Sequence, residues 1–360
     1  MKVIDNEKVQ GKTYTSNVSK LLKHLPKIQL LQDRKRPSPV MFHMSPCNPC
    51  NLTCSFCCFA NRTMKEMLTL SQMQKAIDSF VELGATGMEL TGGGEPTLHP
   101  DFDKVVNYAY DKGLKIGVVT NGTRITKWHK VGGVWDKLQW IRIGMYGFTE
   151  GYEYDIDALR QYPNLTIGGA YIWDENWHTS KNPNIIGVWS DTKSKQLSKK
   201  RQLPEHFNKM IEWVEAEKIP TRIAFNSIKK SEMILEDLEM IRARIKDKNL
   251  SYAFLSDFNW QSERKNSNCY MHNFKPFVFT DGNVYVCPCA EMAQENSYKV
   301  NDEFKICDID GILDFYNEIQ ANDGVRRTHA CSYCKYAAQN ELIDELIDDA
   351  LTVTEHNDFA

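Results

Sequence analysis

The eleven cysteines of the chain fall into two groups, five between Cys47 and Cys58 and six from Cys269 onward, with none between. Any fold must therefore gather thiols twice, once near each end, around a long cysteine-free middle. An odd cysteine count, together with a first stretch (MKVIDNEKVQGK) lacking the apolar run of a signal peptide, predicts reduced thiols and a cytoplasmic protein. No apolar run reaches the ~18–20 residues that a bilayer span needs, so no membrane partner is expected. The charge balance of 44 Lys+Arg against 47 Asp+Glu, net −3, gives no support for broad nucleic-acid binding. Two thiolate sites that hold metal are the expectation.

The middle reads as alternating strand and helix. Apolar strand-like runs lie at 40–44, 86–91, 114–120, 138–143, 165–172 and 221–225. Helical spacing marks 71–83, 101–112, 155–161, 205–218 and 231–246, with Gly84 and Gly113 placed to end the first two. Six strand–helix units indicate an α/β fold, a parallel sheet covered by helices, too short for a closed eight-stranded barrel and therefore an open, partial one. Ligands of such sheets collect at the carboxyl ends of the strands. There lie the cysteine loop after the first strand, Gly92-Gly93-Gly94-Glu95-Pro96 near the second and Thr120-Asn121-Gly122 at the third. The organisation expected is an N-terminal extension over 1–37, in which 18–31 suits a helix, a core domain over 38–250, a cysteine-rich domain over 251–340 with short β-like runs at 276–280 and 284–286, and an acidic tail over 341–360, helical at 341–351.

Cys50, Cys54 and Cys57 are spaced C-x3-C-x2-C. Three thiolates so close can hold three irons of a cubane [4Fe–4S] cluster and leave the fourth iron open to a small molecule. Cys47 or Cys58 could in principle fill the gap, and a zinc knob or plain buried thiols are the alternatives. With an aromatic residue, Phe56, before the last cysteine and GGGEP after the second strand, the pattern resembles the radical S-adenosylmethionine (radical SAM) superfamily over residues 38–250. That resemblance implies a partial (β/α)6 barrel and S-adenosylmethionine (SAM) as cofactor. It implies that the backbone and side chain of Gly92, Gly93, Gly94 and Glu95 hold its amino group, with Thr120 and Asn121 near its ribose and methionine. Residues 142–147, RIGMYG, stand where many members read R-I-S-x-D-G, so a serine contact to the ribose is missing at Gly144 and an aspartate at Tyr146. Asn176 loosely resembles an asparagine that follows the fifth strand.

The second group contains Cys269, Cys287 and the pair Cys331 and Cys334, with Gly282 four residues before Cys287. Four cysteines suffice for a second cluster or for zinc. The spacing is similar to the SPASM/twitch extension of radical SAM enzymes, and with no cysteine after Cys334 the shorter twitch form, one auxiliary [4Fe–4S] cluster, is implied. Cys289 and Cys307 are left over, Cys289 as an alternative ligand and both as ordinary thiols.

The resemblance implies reductive cleavage of SAM to a 5′-deoxyadenosyl radical that takes hydrogen from a substrate. An electron donor such as flavodoxin or ferredoxin would supply the electron, and the auxiliary cluster would accept one in a net oxidation or modification of a small molecule or peptide. His43, Arg142 and Tyr146 are the candidate catalytic residues. A nucleotide or nucleic acid is the alternative substrate, through Lys193, Lys195, Lys199, Lys200 and Arg201 and stacking on Trp173, Trp177 or Trp189. The alternative of another class is a non-catalytic iron–sulfur or zinc protein that binds a partner.

Overall fold

The computed structural model describes residues 20–54, 57, 59, 62–173, 203–225, 232–255, 262–263, 268–288, 304–318, 326–327, 333–334 and 336–347. Seven parallel strands run in sequence order: β1 (Met41–Met44), β2 (Gly87–Leu90), β3 (Lys115–Thr120), β4 (Leu138–Gly144), β5 (Thr166–Trp173), β6 (Thr221–Phe225) and β7 (Ala253–Leu255). The helices between them all pack on one face of this sheet, which is the arrangement of an open barrel and not of a doubly wound sheet.

The local reasons are ordinary ones. Helix α2 (Leu70–Glu82), which follows α1 described below, starts at Thr69, whose hydroxyl accepts the Gln72 N–H while the Gln72 side chain accepts the Thr69 N–H. This capping box satisfies two otherwise orphaned donors. Met73, Ala76, Ile77 and Phe80 form its buried face, and Gly84 at φ +84° ends the turn. Helix α3 (Phe102–Asp111) repeats the scheme with Phe102, Val105, Val106 and Ala109. Against them the sheet presents Phe42, Met44, Met88, Leu90, Ile116, Val118, Ile141 and Ile143.

Because strand side chains alternate, the intervening residues share the other face. The register aligns His43, Glu89, Gly117 and Trp140 across β1–β4. It sets Arg142 beside Gly168, and Gly144 beside Ala170, Arg222 and Phe254.

The six expected strands are present, and β7 is a seventh. Its entry is held by Glu215 of α7 (Glu205–Ala216), the first helix after α4 (Ile125–Val131), α5 (Gly147–Glu150) and α6 (Ile156–Arg160). The Glu215 carboxylate accepts the backbone N–H of Ser251, Tyr252 and Ala253 at 3.0, 2.6 and 2.8 Å. After β7 come the two-residue strands β8 (Ser262–Glu263) and β9 (Asn268–Cys269). Strand β10 (Phe277–Val278) then joins the opposite edge, parallel to β1, with β11 (Asn283–Tyr285) and β12 (Lys305–Asp308) antiparallel beyond it. The cysteine-rich segment is thus continuous with the core sheet.

The helix expected over 18–31 is helical from residue 20, the first described, to Gln32, with a 3-10 turn at Leu22–His24 inside it. Pro26 lacks an N–H and starts α1 (Leu25–Gln32) anew after a 3-10 turn. Ile28 and Leu31 are buried with Tyr270, Phe274, Phe279, Val286 and Ile343 of the C-terminal segment. The last described helix spans Ala337–Glu345, starting four residues before the acidic run.

Ile28 is fully buried. Ile28→Ala is therefore expected to destabilise the protein by about 2–5 kcal/mol in denaturant unfolding. A loss well under about 1 kcal/mol, far below that range, would show that α1 does not belong to the core.

Candidate functional site

The loop after β1 carries Cys50, Cys54 and Cys57, all half-buried. Burial pushes the Cys54 thiol up to about 12, and the nearby Cys57 and Cys50 add to it. Burial likewise raises Cys50. Thiols that suppress one another's ionisation become thiolates when a cationic centre offsets the charge, so this donor set fits a metal cluster. Among the described residues, no three of His, Cys, Asp or Glu converge on one point as ligands of a single ion would. A cubane gives each thiolate its own iron and does not demand such convergence.

Cys47 faces away from this use. It is fully buried, donates from Sγ to the Glu95 carbonyl at 3.3 Å, and burial pushes its thiol up to about 12. Phe56 and Cys58 lie outside the described residues, as do Asn176, Cys289, Cys331 and all of 174–202, including the basic run and Trp177 and Trp189.

The glycine loop is fitted directly onto the cysteine loop. The Gly94 N–H donates to the Cys47 carbonyl at 2.8 Å and the Glu95 N–H to the Pro49 carbonyl at 2.9 Å. A Cβ at Gly94 would come 2.0 Å from the Pro49 oxygen and 2.3 Å from the Asn48 oxygen. Gly93, at φ +52°, would strike Ser45 Oγ at 2.3 Å. No side chain fits between the two backbones.

Glu95, 3% exposed, extends the tie to a third loop. Its Oε1 accepts from Thr97 N–H at 3.1 Å, Thr97 Oγ1 at 2.6 Å and Thr120 Oγ1 at 2.6 Å, and its Oε2 accepts the Asn121 N–H at 2.7 Å. Burial raises its carboxyl above the ordinary range, against the pull of these four donors. The Asn121 amide then donates to Asn51 Oδ1 at 2.8 Å, and Asn51 donates to Thr123 Oγ1 at 2.9 Å. Loops from β1, β2 and β3 form one body. Asn51 has no motif of its own and is silent in the sequence.

The strand face below these loops holds the other candidates. His43 Nδ1 is 3.7 Å from Glu89 Oε1. The Trp140 indole covers Gly117, where a Cβ would come 2.1 Å from the ring, and the Arg142 guanidinium lies 5.0 Å from the Trp140 centroid. Tyr146 lies over Gly144, whose Cβ would be 2.2 Å from the Tyr146 ring. The two departures at 144 and 146 are therefore coupled: the tyrosine ring occupies the space a serine side chain would need. Arg222 shares a register line with Gly144, and no motif announces it. Tyr152 donates to the Asn121 carbonyl at 2.8 Å and Tyr154 to the Gly144 carbonyl at 2.8 Å. Burial raises both phenols.

Cys269, Cys287 and Cys334, 6–8% exposed, lie in one buried cluster with Tyr270, Phe274, Phe277 and Phe279. Asn340 bridges two of their neighbourhoods, donating to Cys334 Sγ at 3.6 Å and accepting the Tyr270 N–H at 3.0 Å. Cys307, on β12, packs against the main core instead. The two cysteine groups share a border: Cys57 packs on this second cluster, and the Phe59 ring lies 6.4 Å from Phe277 and 5.9 Å from Phe279.

Residues 44–152 match the radical SAM superfamily. The chain is 43% identical over 74 residues to the S-adenosylmethionine-dependent nucleotide dehydratase of Selenomonas ruminantium, covering 21% of this chain and 27% of that one. It is 27% identical over 240 residues to the Fe-coproporphyrin III synthase of Methanosarcina barkeri, covering 64% and 54%. It thus spans about a quarter and about half of these relatives. The fold is similar to that of Streptococcus suis SuiB bound to S-adenosylmethionine, with TM-score 0.51, 14% identity, and 87% and 74% of the two chains covered. SuiB has also been solved bound to its precursor peptide SuiA. Among the described residues no helix is long and apolar enough to cross a membrane.

Glu95→Gln would turn an amide N–H toward one of the four donors. It is expected to lose about 1–3 kcal/mol in denaturant unfolding, and Thr120→Val a comparable amount. Because both act on one tie, the double variant should lose less than the sum; strict additivity would contradict the tie.

Proposed function

From a chain that carries a radical SAM domain over residues 44–152, we propose an enzyme that cleaves SAM reductively and oxidises or otherwise modifies a small molecule or peptide. The observation that carries this reading is the close fit of Gly93 and Gly94 onto the loop of Cys50, Cys54 and Cys57. An electron carrier has no use for such a ligand cradle beside three thiols. Cys50, Cys54 and Cys57 would hold one [4Fe–4S] cluster. Cys269, Cys287, Cys331 and Cys334 would hold a second, in a twitch-like segment whose three described thiols share one buried cluster. When bound, the two clusters and SAM supply a 5′-deoxyadenosyl radical and a one-electron acceptor.

The chain's own residues then divide the remaining work. The backbone of residues 92–94 would offer carbonyls to the amino group of SAM. Glu95, engaged by four protein donors, fixes that backbone. Asn121 and Thr120 set the third loop beside it. Tyr146, over Gly144, occupies the space of the ribose-contacting serine and narrows the mouth. His43 and Glu89 sit on the strand face as a proton-accepting pair for an oxidised substrate. An external low-potential donor of the flavodoxin or ferredoxin kind delivers the electron. Reduced thiols of this number suit a cytoplasmic location.

A nucleotide substrate is the second reading. Arg142 and Arg222 flank Gly168 and Ala170 on the same face as Trp140, a pairing of cations and an aromatic ring that suits phosphate and base. The likeness to a nucleotide dehydratase over 74 residues favours the same choice.

Anaerobic reconstitution with iron and sulfide, followed by a dithionite-driven assay for 5′-deoxyadenosine, tests the proposal. Wild type should carry about eight irons and form 5′-deoxyadenosine. Cys50→Ala should keep about four and form none above background, whereas Cys287→Ala should keep about four and still cleave SAM. Cleavage unchanged in Cys50→Ala would refute the first site. Bound zinc with no cleavage in wild type would favour a partner-binding protein.

A further inference from the structure

Arg62 follows the cysteine loop, and neither the spacing of the cysteines nor the glycine motif draws attention to it. Its guanidinium is pinned at two points: Nε donates to the Asn48 carbonyl at 2.6 Å and Nη1 to the Phe59 carbonyl at 2.7 Å. From that fixed position Nη1 reaches the Cys57 sulfur at 3.6 Å, within the range of an N–H···S hydrogen bond. The anchor is itself braced, because the Asn48 amide donates to the Thr63 carbonyl at 3.1 Å and to Glu66 Oε2 at 3.3 Å. Asn48 also supplies one of the oxygens that exclude a side chain at Gly94.

We infer that Arg62 is a positioning residue for the first cluster: it donates a hydrogen bond to the Cys57 thiolate and raises the reduction potential of the cluster held there. The inference rests on the reading that Cys50, Cys54 and Cys57 hold a [4Fe–4S] cluster. The couple concerned transfers one electron, supplied by an external low-potential reductant, and no bond is made or broken in the protein. Adding that electron makes the cluster and its thiolates more negative. A cation and an N–H donor on a ligand sulfur stabilise the reduced form more than the oxidised one, and hydrogen bonds to sulfur are an established lever on such potentials. A lysine would keep the charge but could not span two carbonyls and a sulfur with one planar fork.

The test compares wild type, Arg62→Lys and Arg62→Gln, each full length and anaerobically reconstituted. The first cluster's electron paramagnetic resonance (EPR) signal, identified by its absence in Cys50→Ala, is followed in a redox titration. Arg62→Gln should titrate at a more negative potential by about 59 mV, a tenfold change in the one-electron equilibrium, with Arg62→Lys between it and wild type. Should Arg62→Gln fail to load iron, Arg62→Lys carries the test by the direction of its shift. Variants that load iron and titrate at the wild-type potential overturn the role of Arg62 while leaving the cluster assignment intact. A wild type that loads no iron at Cys50, Cys54 and Cys57 overturns the cluster assignment and this inference together.

Discussion

Removing a carboxylate from water is expensive, and a buried one survives only where donors replace the lost hydration. Glu95 is buried and has four donors, drawn from its own loop and from the end of β3. Its backbone meanwhile runs against the cysteine loop, with the Gly94 N–H on the Cys47 carbonyl and its own N–H on the Pro49 carbonyl. One residue thus connects all three loops at the carboxyl edge of the sheet. The approach depends on glycine at 93 and 94, because a Cβ at either would overlap the opposing loop. That contact fixes the backbone immediately before Cys50.

The rest of the chain closes around this edge. The two cysteine groups, more than 200 residues apart in sequence, are neighbours because β10 pairs with β1, the strand that launches the first cysteine loop. His43 and Phe277 are register partners, and Phe277 is also the ring that a Cβ at Gly92 would touch at 2.9 Å. Phe59 stacks into the same aromatic group. The N-terminal helix covers its far side through Ile28 and Leu31. Apolar packing of this kind lowers the local dielectric beside Cys57, which strengthens electrostatic effects there.

Much of this was legible in the sequence, for physical reasons. The strands and helices of the core have clean periodicity, and glycines at helix ends and in the GGGEP loop mark backbones that no other residue could follow. The three strand-end motifs, the three-cysteine loop among them, fall on one edge by topology alone. What stayed hidden depends on side-chain contacts that no spacing announces, several of them between distant segments. Asn51 acquires its role from Asn121 and Thr123, Asn340 from Tyr270 and Cys334, Arg62 from Asn48 and Cys57. Polar side chains have no period to betray such contacts. β7 is three residues long and owes its place to Glu215, thirty-odd positions earlier. The coupling of the departures at Gly144 and Tyr146 lies in the ring over the glycine, which no motif shows.

On the proposed function, the three tied loops would present a [4Fe–4S] cluster on Cys50, Cys54 and Cys57 to SAM. The most direct measurement is the EPR spectrum of the dithionite-reduced protein before and after SAM is added. SAM is expected to change the g-values of the first cluster's signal, and Cys50→Ala to show no such change. A wild-type spectrum unaltered by saturating SAM would contradict it.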